Sequence, residues 1–394
     1  MRQSWPGDRV RQVQSPGNSP NDHAMMLSAK KKTVVLFIPD LGSGGAERVF
    51  ANLAGALAER GFEVVLLVGV LKDAAYLETI PRSVRICELG CLHMRFAVPG
   101  LIRYLRRERP QVLISALDHC NLAAVLAAKV ARVGVRTIAT LHQTISQSLL
   151  GTHSFRKRLV IRAVLMGVPL ADEIVSVSRG TADDFARLAK ISRERITVIY
   201  NPVIGPTMLR AAEELLDHPW FQPGQPAVVL GVGRLTAQKD FPNLLRAFAR
   251  VRKAREVRLI ILGEGEERST LEQLARSLGI ADQVALPGVV RNPYVYMKRA
   301  SLFALSSAWE ALPTVLIEAM ACGCPVVSTD CMSGPREILQ DGRLGRLVPP
   351  RDENALAEAI LAGLSDKRSG RVSDADLLPF THQVAGDAYA SLCS

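Results

Sequence analysis

The sequence predicts an α/β protein built from two doubly wound parallel sheets. Three observations carry that prediction. Short apolar runs alternate with helical patterns along most of the chain, the alternation halts at Asn201-Pro202 and restarts at Ala227, and glycines gather in the loops that join strand to helix. Pro219, Pro223, Gly224 and Pro226 punctuate the linker between the two arrays. The expected organisation is a disordered leader over 1–29, a first domain over 30–203, a linker over 204–226, a second domain over 227–370, and a tail over 371–394 whose helix packs back toward the first domain.

The 394 residues leave room for two to three domains at roughly 150 residues each. The leader, rich in Ser, Pro, Gln, Asn and Gly, has no apolar centre that could act as a secretory signal, and Met25 or Met26 is an alternative start. No apolar, charge-free run reaches the roughly 18 residues of a spanning helix. The seven cysteines form no Cys-x-x-Cys pair, so reduced, buried thiols are expected rather than zinc or disulfides. Charge is uneven: 28 Lys+Arg stand against 16 Asp+Glu up to Asn201, and 21 against 22 beyond it. A basic first half calls for an anionic partner on that side. Aromatic interleaving and nucleic-acid modules are absent, which favours an anionic membrane surface over nucleic acid.

The first array opens with the apolar strand Thr33–Ile38. Gly42-Ser-Gly44-Gly45 follows, then a helix from about Ala46 to Arg60, ended by Gly61. Strand, glycine turn and helix make a unit that a phosphate can approach. Gly42-x-Gly44-x-x-Glu47 puts Glu where a dinucleotide fingerprint needs its last small residue, so a nicotinamide cofactor is disfavoured. Val64–Val68, Val112–Ser115, Thr137–Thr140, Ile174–Val177 and Ile196–Ile199 continue the strands, with helical patterns at Leu101–Arg107 and Leu122–Ala131. Asp118, His119, His142 and Ser178 follow strand ends, where doubly wound sheets place their chemistry. Asp118 and Ser178 read equally as helix caps. His142 is explained neither by capping nor by an apolar face. Phe155–Met166 mixes cations with apolar residues at near-helical spacing, either a helix for an anionic headgroup layer or a packed helix with a solvated face.

In the second array Ala227–Val232 is a strand, and Gly233-Arg234 to Lys239-Asp240 is the loop into a helix near Pro242. Two cations at one strand's carboxyl end can neutralise a diphosphate without metal. Leu259–Leu262 leads into Gly263-Glu-Gly265, again short of a dinucleotide pattern, and Val284–Leu286 with Gly288 forms the next strand and turn. The stretch Leu302–Ser328 organises the rest. An apolar strand, Leu302–Leu305, runs into a loop carrying Glu310. Pro313 then sits in the first turn of a helix that ends by Gly323 and Pro325, and Val326-Val327 begins another strand. The free N–H groups and dipole of that helix start make a seat for phosphate. From Pro313 to Glu318 is roughly 7–8 Å along the helix, about the step from a diphosphate to its ribose. Glu318 lies between apolar neighbours on both sides, so one elongated ligand touching Glu318, the helix start and Glu310 accounts for both carboxylates. Ser333-Gly334-Pro335 follows a further strand, Asn354–Leu364 is helical, and Phe380–Cys393 is the tail helix.

This constellation resembles family 4 of the glycosyltransferases, retaining enzymes of the GT-B fold, in which two Rossmann-like domains face a central cleft. The resemblance runs from Thr33 to about Leu364. It rests on Gly44-Gly45-Ala46-Glu47, Val232-Gly233-Arg234-Leu235 with Lys239-Asp240, Gly263-Glu264-Gly265, and Glu310-x7-Glu318-Ala319 continuing into Gly323-x-Pro325. It implies a nucleotide-sugar donor, commonly a UDP-sugar, and a lipid-linked or growing surface glycan as acceptor, with no metal or other cofactor. Arg234 and Lys239 would hold the diphosphate, Glu318 the ribose, and Glu310 the transferred sugar. Gly44 and Gly45 would offer backbone N–H groups, and Gly263, Val289, Leu312, Pro313 and Thr314 would complete the donor site. His142 matches a histidine near the reacting centre. The resemblance places the protein in the cytoplasm, peripheral to the inner face of the membrane. The lone Asp-x-Asp, Asp374-Ala-Asp376, falls in the tail, where solvation is expected. The rivals are a sugar-nucleotide epimerase or phosphorylase on the same architecture, a NAD-dependent oxidoreductase, and a non-catalytic membrane adaptor.

Overall fold

The computed structural model describes residues 11–13 as backbone, 31–42, 44–71, 76–91, 96–152, 154–366 and 372–394. The chain divides into two compact units: Met1–Pro202 with His382–Ser394 form unit 1, and Val203–Thr381 form unit 2.

Unit 1 is built on one sheet of β1 (Arg11–Val13), β2 (Thr33–Ile38), β3 (Glu63–Val68), β4 (Arg85–Glu88), β5 (Val112–Ala116), β6 (Arg136–Leu141), β7 (Glu173–Ser176) and β8 (Ile196–Val198). Their spatial order is β1-β4-β3-β2-β5-β6-β7-β8. Seven of the strands are parallel, and β1 pairs antiparallel with β4. The helices are α1 (Gly45–Glu59), α2 (Ala97–Glu108), α3 (Asp118–Ala131), α4 (Ile145–Leu150), α5 (Phe155–Gly167) and α6 (Arg179–Ala189). Alternate residues of β2 serve opposite faces, as a period of two requires. Val34, Leu36 and Ile38 join a core with Phe50, Leu53 and Leu57 of α1, while Val35 and Phe37 join one with Leu101 and Tyr104 of α2 and Ala124 of α3. Both faces are covered, so the strands read as unbroken apolar runs.

Unit 2 holds β9 (Ala227–Val232), β10 (Val257–Leu262), β11 (Val284–Gly288), β12 (Leu302–Leu305), β13 (Val326–Thr329) and β14 (Arg346–Val348), ordered β11-β10-β9-β12-β13-β14. All pairings are parallel. Its helices are α7 (Pro206–Ala212), α8 (Phe241–Ala254), α9 (Arg268–Ser277), α10 (Tyr294–Arg299), α11 (Thr314–Ala321), α12 (Pro335–Ile338), α13 (Glu353–Ser365) and α14 (Asp374–Leu377). Leu244, Phe248 and Val251 of α8 share a core with Leu259, Ile261 and Leu302 and with Leu356 and Ile360 of α13. The last helix, α15 (His382–Cys393), belongs to unit 1, where Ala385, Tyr389 and Cys393 enter the core of α1. Arg60 Nε donates to Asp387 Oδ1 (2.8 Å) and Nη2 to the carbonyl of Gln383 (2.7 Å), fixing that contact.

Both sheets reverse their winding beside the first parallel strand. In unit 1 the chain winds from β2 to β4 in one direction and from β5 to β8 in the other; in unit 2 β9 to β11 and β12 to β14 do the same. The crevices between β2 and β5, and between β9 and β12, are where such folds bind ligands.

Several boundaries differ from the sequence reading. The leader expected over 1–29 lies outside the described residues apart from β1. The stretch 204–226 is part of unit 2 rather than a bare linker. It contains α7, and Asn292 Nδ2 donates to Ala211 O (2.8 Å) and Glu214 Oε2 (2.9 Å) while Lys298 pairs with Glu213 (2.7 Å). The tail splits: α14 stays with unit 2 and only α15 joins unit 1. Of the Asp-x-Asp pair, Asp374 is exposed as expected, whereas Asp376 is half-buried, closing a capping box with Ser373 and pairing with Arg343. The short strands β4 and β14 escaped the reading because each begins with an arginine and has few apolar residues.

Candidate functional site

The unit 2 crevice is assembled from the loops after β9 and β12. Ala308 N–H donates to Gln238 O (2.8 Å), and Ser306 Oγ donates to Lys239 O (2.7 Å), so the two loops are stitched through the main-chain carbonyls of the β9 loop. That stitching sets Lys239 Nζ 2.6 Å from Glu310 Oε1, with side chains 14% and 8% exposed. Ser307 Oγ donates to the same carboxylate oxygen (2.7 Å), and Gln238 Nε2 lies 3.5 Å from Oε2 and 3.1 Å from the Trp309 carbonyl. Ser307 is itself held by Thr329 Oγ1, which donates to its carbonyl (2.6 Å). Arg234 stands on the same loop as Lys239, exposed, and among the described residues its guanidinium forms no hydrogen bond or ion pair. One cation is neutralised in place and the other is free.

Glycine allows this packing. A Cβ on Gly263, at φ +137°, would lie 1.9 Å from Gly233 O, and one on Gly265 would lie 2.3 Å from Leu235 O. The β10 loop can therefore run against the β9 loop only without side chains there, and Leu235 N–H donates to Glu264 O (2.8 Å) across the gap. Glu264, read in sequence as part of a ligand motif, is occupied by Arg268 at 2.6 and 2.9 Å.

Helix α11 starts at Thr314, with Pro313 as its N-cap at ψ 95° and no side-chain cap, which moves Pro313 out of the first turn where the sequence placed it. Ser333 Oγ donates to Ala311 O (2.9 Å), and a Cβ on Gly334 (φ +92°) would sit 2.5 Å from Pro313 Cδ. The loop after β13 thus braces Ala311–Pro313 from outside. Leu312 is buried and Val289 is 71% exposed. Glu318, 1% exposed, lies inside α11 as its apolar neighbours foretold.

The unit 1 crevice is different in kind. Gly44 is the N-cap of α1, and a Cβ there would collide with the Glu47 carboxylate at 2.0 Å, whereas one on Gly45 would meet nothing within 4 Å. His142 Nε2 lies 3.0 Å from Thr140 Oγ1, and the Thr140 hydroxyl donates its one proton to Ser115 O (2.7 Å). Thr140 must therefore accept from the imidazole, which fixes the proton on Nε2 and leaves the Nδ1 lone pair for a ligand. Ser115 Oγ donates to Asn121 Oδ1 (2.8 Å) and Asn121 Nδ2 to Thr140 O (2.8 Å), so a buried ring of three side chains carries the histidine. Burial pushes the imidazole pKa down to about 4.

Asp118 heads α3 at the end of β5, directly after Leu117, whose φ of +72° is strained for a branched residue. Its Oδ1 is buried with no hydrogen-bond partner, and Gln143 Nε2 reaches Oδ2 only at 3.3 Å. Burial raises this carboxyl to about 7. It does not cap α3; Leu117 occupies that position. Ser178 does cap α6, accepting from Thr181 N–H (3.2 Å).

The structure thus brings Lys239 and Glu310 together in unit 2, with Arg234 on the same loop, and leaves His142, Gly44 and Gly45 in unit 1. Gln238, Ser307, Ser333 and Gly334 were missed as site residues. The signal for Ser307 was its place two residues past an apolar strand, and Gln238 offered only its position beside Lys239.

Comparison with known proteins agrees on both units. Residues 43–204 match the family model Glycosyltransferase Family 4, and residues 213–374 match Glycosyl transferases group 1. An N-acetylgalactosamine-N,N'-diacetylbacillosaminyl-diphospho-undecaprenol 4-alpha-N-acetylgalactosaminyltransferase of Campylobacter jejuni is 30% identical over 347 residues, 84% of this chain and 90% of that protein. The lipopolysaccharide core biosynthesis glycosyltransferase LpsE of Rhizobium meliloti is 28% identical, covering 89% of this chain and 95% of its own. Among solved structures, Anabaena Alr3699/HepE in complex with UDP and glucose superposes with a TM-score of 0.72 at 20% identity, over 91% of this chain and 98% of that one.

Proposed function

The chain belongs to glycosyltransferase family 4, on the GT-B architecture, and we propose that it moves a sugar with retention from a UDP-sugar to a hydroxyl of a lipid-linked or polysaccharide acceptor in cell-surface glycan synthesis. The observation that carries the proposal is the buried Lys239–Glu310 pair at the β9/β12 switch point, with an unpaired Arg234 on the same loop. A diphosphate offers Lys239 a second anion, and the arriving sugar offers Glu310 hydroxyl donors in exchange. The pair is therefore a preformed site that a donor can enter without leaving either charge unsatisfied.

In this reading the bond between the anomeric carbon and the diphosphate breaks while the acceptor oxygen bonds on the same face, and the acceptor proton passes to the leaving phosphate. Lys239, Arg234 and the start of α11 at Pro313–Thr314 stabilise the departing charge. Glu310, held by Ser307 and Gln238, orients the sugar rather than attacking it. Glu318 takes the ribose hydroxyls; Gly263, Val289 and the backbone of Leu312 complete the donor site. From unit 1, Gly44 and Gly45 offer N–H groups, and His142 Nδ1 accepts from a sugar hydroxyl, a role its neutral form suits. Lys239 and Arg234 together do the work for which other enzymes recruit a metal, so no metal or other cofactor is required. The enzyme would work in the cytoplasm, peripheral to the inner face of the membrane.

The test is incubation with a panel of nucleotide sugars, with and without a polyprenyl-diphosphate-linked sugar as acceptor. Acceptor-dependent release of UDP with retained anomeric configuration is expected. Release of sugar 1-phosphate, or epimerised donor without acceptor, would replace transfer by phosphorolysis or epimerisation.

A further inference from the structure

Helix α5 presents a surface that the transfer chemistry does not use. Its first six residues, Phe155 to Val160, are exposed on every side. At 100° per residue Phe155, Leu159, Arg162 and Met166 fall within one narrow stripe, at spacings of four, seven and eleven. The three apolar members are 80%, 59% and 68% exposed. Val164 and Gly167, on the other side, are buried, and a Cβ on Gly167 would meet Leu122 of α3 at 2.4 Å, which shows the side by which the helix is seated. Arg156 and Arg158 flank the stripe and Arg162 lies within it. Among the described residues these arginines and Lys157 form no ion pair, and no Asp or Glu occurs anywhere from Thr144 to Ala171.

Large apolar side chains held in water, ringed by cations without counterions, are matched to one kind of surface. We propose that α5 is the element by which this chain docks on a bilayer carrying anionic headgroups, lying in the interface with Phe155, Leu159 and Met166 inserted and the arginines at headgroup level. A peptide or protein partner would more readily bring carboxylates and a shaped groove, whereas a lipid surface demands only a stripe and a field, which is what the helix offers. No helix among the described residues is long and apolar enough to cross a membrane, so this contact would be peripheral. The proposal deepens the peripheral placement above, but its test needs no sugar, so either can fail alone.

The experiment is co-sedimentation of the full chain with sucrose-loaded vesicles, one set of phosphatidylcholine and one with 30 mol% phosphatidylglycerol. Binding to the anionic set is expected to exceed binding to the neutral set and to weaken with salt. Arg156→Glu/Lys157→Glu/Arg158→Glu should lower it more than 100-fold, at about fivefold per cation removed. Leu159→Ser/Met166→Ser, which keeps every charge, should lower it about tenfold or more. Circular dichroism and a thermal melt establish that both variants fold. Equal binding to both vesicle sets, binding unchanged in either variant, or an α5-dependent dimer without vesicle binding would overturn the proposal.

Discussion

Each sheet changes its winding direction beside its first parallel strand, and each resulting crevice holds ionisable side chains that the fold keeps from water. In unit 2 those groups are opposite charges in contact, Lys239 against Glu310, with Ser307 and Gln238 completing the carboxylate's partners. In unit 1 Asp118 and His142 are half-buried with no opposite charge beside them, and loss of solvation drives each toward its neutral form. One topology therefore supports two electrostatic strategies. The first stores charge ready to be exchanged for a ligand's, and the second suppresses charge so that hydrogen bonding alone addresses a ligand.

The largest test of that contrast is Lys239→Ala. Removing the cation leaves Glu310 buried beside neutral donors only, which should cost about 3–5 kcal/mol of stability. Chemical denaturation measures it, and Lys239→Ala/Glu310→Gln should recover a good part. A single variant as stable as the parent would mean the pair is solvated and the contrast false.

Arg234→Ala separates folding from transfer. The side chain is exposed and unpaired, so the melting curve should stay within about 0.5 kcal/mol of the parent. Transfer, by kcat/KM for the donor, should fall by the equivalent of about 2–4 kcal/mol, the scale of losing one charge-stabilising donor. Unchanged turnover would remove Arg234 from the site.

How far these groups were legible beforehand follows from the same physics. The sheets could be read because strands covered on both faces are continuous apolar runs, and β2, β9 and β12 fall where those runs place them. Glu318 was legible because a carboxylate amid apolar residues demands a reason, and Glu310 because one elongated ligand along the helix start would reach it too. That Lys239 bonds Glu310 was not, since it depends on two loops 71 positions apart being stitched through the Gln238 and Lys239 carbonyls. Asp118 was named only as one candidate among several, because nothing local distinguishes a cap from a buried orphan. The state of His142 depends on Thr140 and Ser115, from two different strands.

A smaller effect sharpens the unit 1 side. An unfolded Asp ionises near 4 and an unfolded His loses its proton near 6.5. Native Asp118 keeps its proton to about 7, so from about pH 4 to 7 the native state holds one proton more there and loses stability as pH rises. Native His142 releases its proton at about 4, so between about 4 and 6.5 the unfolded chain holds one more and stability grows as pH rises. The two slopes oppose each other and cancel over most of the window. Asp118→Asn removes the first alone. Its unfolding free energy relative to the parent should climb by about 1.4 kcal/mol per pH unit from pH 4 to 7. A flat difference would show that Asp118 is ionised in the native state and that unit 1 also stores charge.

The smallest effect concerns Ser178, which sequence could read as a site residue or a cap. Its hydroxyl donates its one proton to Thr181 Oγ1 (2.8 Å) and accepts from Thr181 N–H, both inside the first turn of α6. Its one proton is thus committed within the helix turn, so it has no donor for a ligand, whereas His142 Nδ1 keeps its lone pair. Ser178→Ala should therefore cost about 1 kcal/mol of stability, as a lost cap does, with turnover per folded molecule unchanged. Denaturation and a rate normalised to folded protein check the two halves separately. A hundredfold loss of rate at unaltered stability would put Ser178 in contact with substrate, and unit 1 would then work through a hydroxyl as well as through its two neutralised acid–base groups.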